Sequence, residues 1–228
     1  SAAMMTSQPV SNDPDVFSWC DEARIASLTN QIGSALPLLK DSNLLRSAIT
    51  FWAKRQVLLE FLTQEDYSAV VSDRSNADKA LLNWARSAWG HRLENLYLAE
   101  KHHLDRVTCS LLRVKDQYLA FELFHRLRAE ESSFDELSWK FGQGQERRQG
   151  GRFHNQRIQS IPEALHPILR TMKEGSVSKP HKFAEWYGIL KLDNFSPAQF
   201  DEDTKNLLLK AELNKWLLKV VSELESHL

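Results

Sequence analysis

The side chains best suited to bond-making chemistry are scattered along this sequence. Of its eight histidines, His102 and His103 are adjacent near the end of a helical stretch. Neighbouring positions on a helix point in different directions, so they make a poor metal pair, whereas a helix C-terminus suits imidazole electrostatically. His154, His166 and His181 have no carboxylate or cysteine at ligand spacing. No metal and no cofactor is therefore expected. The two cysteines, Cys20 and Cys109, are far apart and form no CxxC or disulfide framework, which points to a reducing compartment. A catalytic thiol needs a nearby base, and none accompanies Cys109, which reads as a core residue. Arg147, Arg148 and Arg152 flank Gly150-Gly151 and offer charge for an acidic or phosphorylated peptide. Glu146 compensates them, and a solvated loop is the plainer reading.

The elements that must position such groups change character along the chain. Residues 16–104 read as helices. Leu44, Leu45, Ala48, Ile49, Trp52, Gln56, Leu59 and Leu62 fall at three- and four-residue steps, the signature of a long amphipathic helix. Ser75-Asn76-Ala77-Asp78 resembles a capping box, opening a helix that carries Leu81, Leu82, Trp84, Ala85, Ala88 and Trp89 and stops near Gly90. From Asp105 the composition shifts: Val107-Thr108-Cys109-Ser110-Leu111-Leu112-Arg113-Val114 suits a strand. A helix follows through Tyr118, Leu119, Phe121, Phe124 and Leu127, then a short one from Ser133. Gly142–Gly151 is too polar and glycine-rich for regular structure. Helix returns from Pro162 to Lys173, and a second strand spans about Trp186 to Leu192. Ser196-Pro197-Ala198-Gln199 fits a helix start, whose apolar stripe of Leu209, Leu213, Trp216, Leu217, Val220 and Leu224 must pack on other helices.

Composition sets outer limits. The 228 residues allow one large domain or two small ones. Hydrophobic content of 42% with seven tryptophans and eleven phenylalanines supplies a real core. A net charge of -1, from 29 cations and 30 anions, excludes the strongly basic balance of a nucleic-acid binder. No apolar run reaches the roughly 20 residues of a membrane span, so membrane insertion is not expected. Ser1-Ala2-Ala3 ahead of Met4-Met5 looks like an expression scar, residues 6–14 read as disordered, and the first residues lack a signal peptide's basic head and apolar stretch. Cytoplasmic residence is the resulting expectation.

One ordered set of motifs is more specific. Gly150-Gly151-Arg152-Phe153 precedes Arg157-Ile158-Gln159-Ser160-Ile161-Pro162. Gly175-Ser176-Val177-Ser178-Lys179-Pro180 comes next, and Trp186-Tyr187-Gly188-Ile189-Leu190-Lys191-Leu192 closes the set. With Ser133-Phe134-Asp135-Glu136-Leu137 and the strand before it, this order over about residues 106–194 resembles a parvulin domain, the peptidyl-prolyl isomerase fold of SurA and its relatives. The run Leu104-Asp105-Arg106-Val107 with Leu112-Arg113-Val114-Lys115-Asp116 is closer still to cytoplasmic parvulin-like proteins of cyanobacteria associated with type I secretion. The resemblance implies an α+β chain. Residues 1–15 are tag and tail, 16–105 a helical chaperone-like domain, 106–195 an inserted parvulin-like domain with a small antiparallel sheet, and 196–228 a C-terminal helix returning to the helical domain.

Carried over residue by residue, the family's apolar proline pocket maps to Phe153, Ile161 and Leu165. Its polar positions are altered. The two histidines map to Ser110 and Gly188, and the loop Asp and Cys to Gln143 and Gly144; Ser110 and Gln143 still offer hydrogen bonds. The reaction needs no nucleophile, only rotation about an Xaa-Pro amide over a barrier of about 18–20 kcal/mol, assisted by gripping proline in a dry pocket and favouring the twisted amide. The resemblance thus implies an isomerase or foldase for unfolded or proline-containing polypeptide, with weak or lost turnover. The alternative is a non-catalytic SurA-like chaperone or secretion-associated adaptor. Replacement of a histidine by Gly188 is expected to leave a space and a flexible strand position.

Overall fold

The computed structural model describes residues 14–228, so the expectations for the scar and most of the tail fall outside the described residues. The chain divides into two compact units. One contains the described residues up to Tyr97 together with Phe200–Leu228; the other contains Leu98–Gln199.

The helical unit begins with α1 (Val16–Trp19), α2 (Glu22–Ile32) and α3 (Leu36–Asp41). Then come α4 (Leu45–Phe61), α5 (Gln64–Val70) and α6 (Arg74–Trp89), and the chain runs into α7 (Leu93–Leu104). Its last helix is α11 (Glu202–Glu225). The expected apolar stripe of α11 is the one buried, with Leu209, Trp216, Leu217, Val220 and Leu224 each at most 5% exposed. It packs on α4 and α6. Trp216 sits at the centre, its ring centroid 5.2 Å from that of Trp19, 5.0 Å from Trp84 and 6.4 Å from Trp89. Its indole N–H donates to the Pro14 carbonyl at 2.9 Å, which satisfies the polar end of an otherwise apolar side chain.

Two cap expectations are corrected. Asp73, not Ser75, caps α6: its carboxylate accepts the Ser75 N–H. At the last helix Ser196 still belongs to a strand, and Asp201 caps α11 by accepting from the Thr204 N–H at 2.9 Å. An aspartate at N-cap is as good an acceptor as serine and adds charge complementary to the helix dipole, so each helix starts at its acid.

The second unit holds β1 (Arg106–Val114), α8 (Gln117–Arg128), α9 (Phe134–Phe141), β2 (Arg152–Arg157), α10 (His166–Thr171), β3 (His181–Phe183) and β4 (Trp186–Ser196). The strands form one antiparallel sheet in the order β2-β1-β4-β3. The sheet separates two cores. Cys109, Leu111, Leu190 and Leu192 pack with Ile158, Ile161, Leu165, Leu169 and Phe183 on one face. On the other, Leu112, Val114 and Ile189 pack with Ala120, Leu123 and Phe124 of α8 and Phe134 and Leu137 of α9. The arrangement is the expected one, a helical unit made from both ends of the chain with an α+β unit inserted. The Gly142–Gly151 loop is more ordered than its composition implies, with a 3-10 segment at Gln145–Gln149.

Candidate functional site

Successive side chains of a strand point to opposite faces. Along β1 this sends Ser110, Leu112 and Val114 towards α8 and α9, and Cys109, Leu111 and Arg113 to the other face. Arg113 is thus a charged residue in a strand otherwise almost wholly buried. It cannot remain there unpaired without a large desolvation cost. Its partner is Glu146, on the 3-10 segment, whose side chain is 6% exposed against 19% for Arg113. The pair is bidentate: Arg113 Nε–H donates to Oε1 at 2.5 Å and Nη2–H to Oε2 at 3.1 Å. The guanidinium also lies 5.5 Å from the Phe183 ring centroid and 5.6 Å from that of Trp186, within cation–π range.

Gly144 makes this approach possible. A Cβ there would sit 2.3 and 2.4 Å from the Glu146 carboxylate oxygens and 2.5 Å from Arg113 Nε. Gly150 and Gly151 serve the backbone instead. Both take left-handed conformations, with φ of 64° and 79°, cheap only for glycine. The turn brings Gly151 against β1, where its carbonyl accepts the Leu111 N–H at 2.9 Å.

These residues wall an open groove of about 1000 Å³. Phe153 of β2, Pro162 and Trp186 supply its apolar surface, with the buried Ile161 bordering it. Arg113 and Glu146 form its charged end, and Gln145, Gln149, Gln156 and Gln159 its polar rim. The sequence-derived residues divide accordingly. Phe153, Ile161, Gln143 and Gly144 line the groove. Leu165 does not; it is fully buried in the core it shares with Ile161, which borders the groove while itself only 2% exposed. Ser110, 4% exposed, faces away from the groove. Gln143 acts locally instead of aiming at a ligand: its backbone N–H donates to the Arg113 carbonyl at 3.0 Å, and its Oε1 accepts the Lys115 N–H at 2.7 Å, tying the loop to the end of β1.

Gly188 lies on the groove-side face, opposite Arg113 in the β1–β4 register, but the space expected beside it is filled. A Cβ on Gly188 would meet Phe183 Cε1 at 2.7 Å and Leu111 Cδ1 at 3.1 Å. Phe183 from the short strand β3 occupies the volume that a side chain at 188 would need. Cys109, in the same core, has its thiol pushed up to about 12, mainly by burial and secondarily by the negative charge of Asp193. It is a weak nucleophile. Among the described residues no three His, Cys, Asp or Glu side chains are grouped to hold a metal.

Residues 113–194 match the family of PPIC-type PPIASE domains, the rotamases. The match to the rotamase model opens at Arg113, so it takes in the groove residues and Gly188 and leaves Ser110 outside. No curated protein matches the sequence. Among solved structures, the peptidylprolyl isomerase PrsA of Bacillus anthracis is similar at 15% identity over 93% of this chain and 88% of its own, with a TM-score of 0.51. That likeness is one of fold. The foldase protein PrsA of Streptococcus pneumoniae gives 16% identity over 95% and 86%, with a TM-score of 0.48. A structure reported for PEB4 and Cj1289, SurA-like chaperones of Campylobacter jejuni, gives 14% over 89% and 90%, with a TM-score of 0.37.

Arg113, Glu146, Phe183 and Trp186 escaped the sequence reading as site residues. One signal was present: a lone arginine inside an apolar strand demands a buried partner, and Glu146 is the acid in a loop whose other charges are basic.

Proposed function

We propose that this chain is a foldase that binds unfolded or Xaa-Pro-containing polypeptide, with the proline ring against Phe153, Ile161 and Trp186. Isomerase turnover is below that of ordinary parvulins because the family's histidine positions hold other residues. The observation that carries the reading is the groove itself: an apolar wall and a fixed cation on the rotamase-matched segment. Its rim supports a polypeptide ligand. The Gln145, Gln149, Gln156 and Gln159 amides each offer donors and an acceptor, which suits the backbone of an extended chain whatever its side chains. The test is titration of an unphosphorylated Xaa-Pro peptide, followed by NMR shifts of β1, β2 and the 160–163 segment. Phe153→Ala should weaken binding; shifts confined to other regions would overturn the reading.

A second reading, chaperoning by the helical unit alone, is favoured by one observation. Phe51 is 60% exposed and Leu59 50%, and both border a cleft of about 330 Å³ with Leu28, Ile32, Leu39 and Trp52. Suppression of client aggregation that survives Phe153→Ala but falls with Phe51→Ser would favour it. Leu165→Ala discriminates neither reading, since Leu165 is core. An association with type I secretion rests on the 104–116 likeness alone.

A further inference from the structure

The geometry points to Arg113 as the catalytic group of this groove, a donor to the prolyl nitrogen that stands in for the missing histidines. This deepens the isomerase reading above and rests on it.

A planar amide nitrogen gives its lone pair to the carbonyl and accepts no hydrogen bond. When the Xaa-Pro bond twists, conjugation is lost and the lone pair localises on nitrogen. A donor aimed there is worthless in the ground state and useful in the transition state, the differential that lowers a barrier. A donor to the carbonyl oxygen does the reverse, because that oxygen is most basic in the planar form. No covalent bond breaks and no proton is transferred. The site needs only a permanently protonated donor beside a proline-sized apolar wall, held in place before substrate arrives.

Arg113 meets each requirement. A guanidinium carries five N–H donors and stays charged. Two are engaged by Glu146, leaving both hydrogens of Nη1 and one of Nη2. The side chain is still 19% exposed and lines the groove together with Phe153, Ile161 and Trp186. Its position is over-determined. Glu146 fixes the plane of the guanidinium, Phe183 and Trp186 flank it, and Gly144 leaves the room the carboxylate occupies. Preorganisation of that kind separates a catalytic donor from a surface arginine, which would lose side-chain entropy on each encounter. Register supplies a further argument. Arg113 is the cross-strand partner of Gly188, so the new donor faces a position from which the family's side chain has gone. The buried Glu146 acts through Arg113 and is a positioning residue.

The experiment measures cis–trans exchange of an unphosphorylated Xaa-Pro peptide by exchange NMR, with peptide affinity from chemical-shift titration of the same samples. Wild type, Arg113→Met, Arg113→Lys, Glu146→Gln and Ser110→Ala are compared, each checked for a dispersed amide spectrum. Arg113→Met should lower kcat by about tenfold or more with affinity changed less than about twofold. Arg113→Lys, which cannot make the bidentate pair, should recover only part of that loss. Glu146→Gln should lower kcat by a smaller factor, and Ser110→Ala should leave it unchanged. The inference is overturned if Arg113→Met turns over like wild type, or if affinity falls in parallel with kcat. It is also overturned if wild type binds the peptide yet catalyses no exchange, which leaves the groove reading intact. Absence of both binding and exchange sinks both readings. Should Arg113→Met fail to fold, Arg113→Lys and Glu146→Gln decide by the same criterion.

Discussion

Placing a methyl group at position 188 tests whether the space beside Gly188 is filled. Gly188→Ala puts a Cβ 2.7 Å from Phe183 Cε1 and 3.1 Å from Leu111 Cδ1. Carbon contacts are comfortable from about 3.5 Å, so the overlaps are about 0.8 and 0.4 Å. Phe183 is 7% exposed and Leu111 0%, so neither can retreat into solvent. Overpacking of this sort costs about 1–3 kcal/mol. Relief of the glycine's backbone entropy returns about 0.5–1 kcal/mol, and the steric term wins in most of that range. At about 4–8 °C per kcal/mol for a unit of about 100 residues, Tm of the α+β unit, Leu98–Gln199, should fall by several degrees. Amide exchange of β1 and β4 reports that unit separately from the helices. Phe183→Leu opens the space at its own cost of about 1–2 kcal/mol, and the double variant should show favourable coupling of at least about 1 kcal/mol. Gly188→Ala that is neutral or stabilising, or a cycle with no coupling, refutes the claim that Phe183 fills the space beside Gly188. If the claim holds, a larger side chain at 188 fits only when Phe183 is shortened.

Trp216→Ala should destabilise the helical unit by about 3–5 kcal/mol, since its indole joins α11 to Trp19, Trp84 and Trp89; urea unfolding measures it. Cys109 should resist alkylation in the native protein near pH 8 and react fully in denaturant. Its folded value is raised from 9.0 to about 12, so its contribution to stability is intact below 9.0 and is lost as pH rises towards about 12. Alkaline unfolding curves of Cys109→Ala should be flatter across that window.

The sequence exposed the architecture because its signals are local. Helical periodicity in α4 and α6, the β-rich run at 107–114, the glycine pair and the apolar stripe of α11 each act within a few residues. The site was harder to read, for physical reasons that can be located. The register slip between Thr108 and Cys109 skips Asp193 of β4, so facing along β4 cannot be counted through it: Leu190, Leu192 and Phe195 all pack on the same core. Strand β2 is an edge strand with four of its six residues exposed, so it lacks the alternation that identifies a half-buried strand. Phe183 comes from a three-residue strand too short to announce itself, yet it fills the space beside Gly188. Glu146 lies 33 residues from Arg113, a pairing no local pattern encodes. Ser196-Pro197-Ala198-Gln199 carries sound helix-start chemistry, but β4 keeps Ser196 in the sheet and Asp201 caps instead.

The division of the chain has a consequence for how it is made. The core of the helical unit contains Ile49, Trp52, Ala85 and Trp89 from early in the sequence and Leu209, Trp216 and Val220 from its last helix. A ribosome adding about 5–20 residues per second therefore leaves the first-made helices without their partner for on the order of ten seconds, while the contiguous Leu98–Gln199 segment emerges and can close its own sheet. The earliest apolar surface is the last to be covered, and the protein must pass through a stage in which it resembles a folding client.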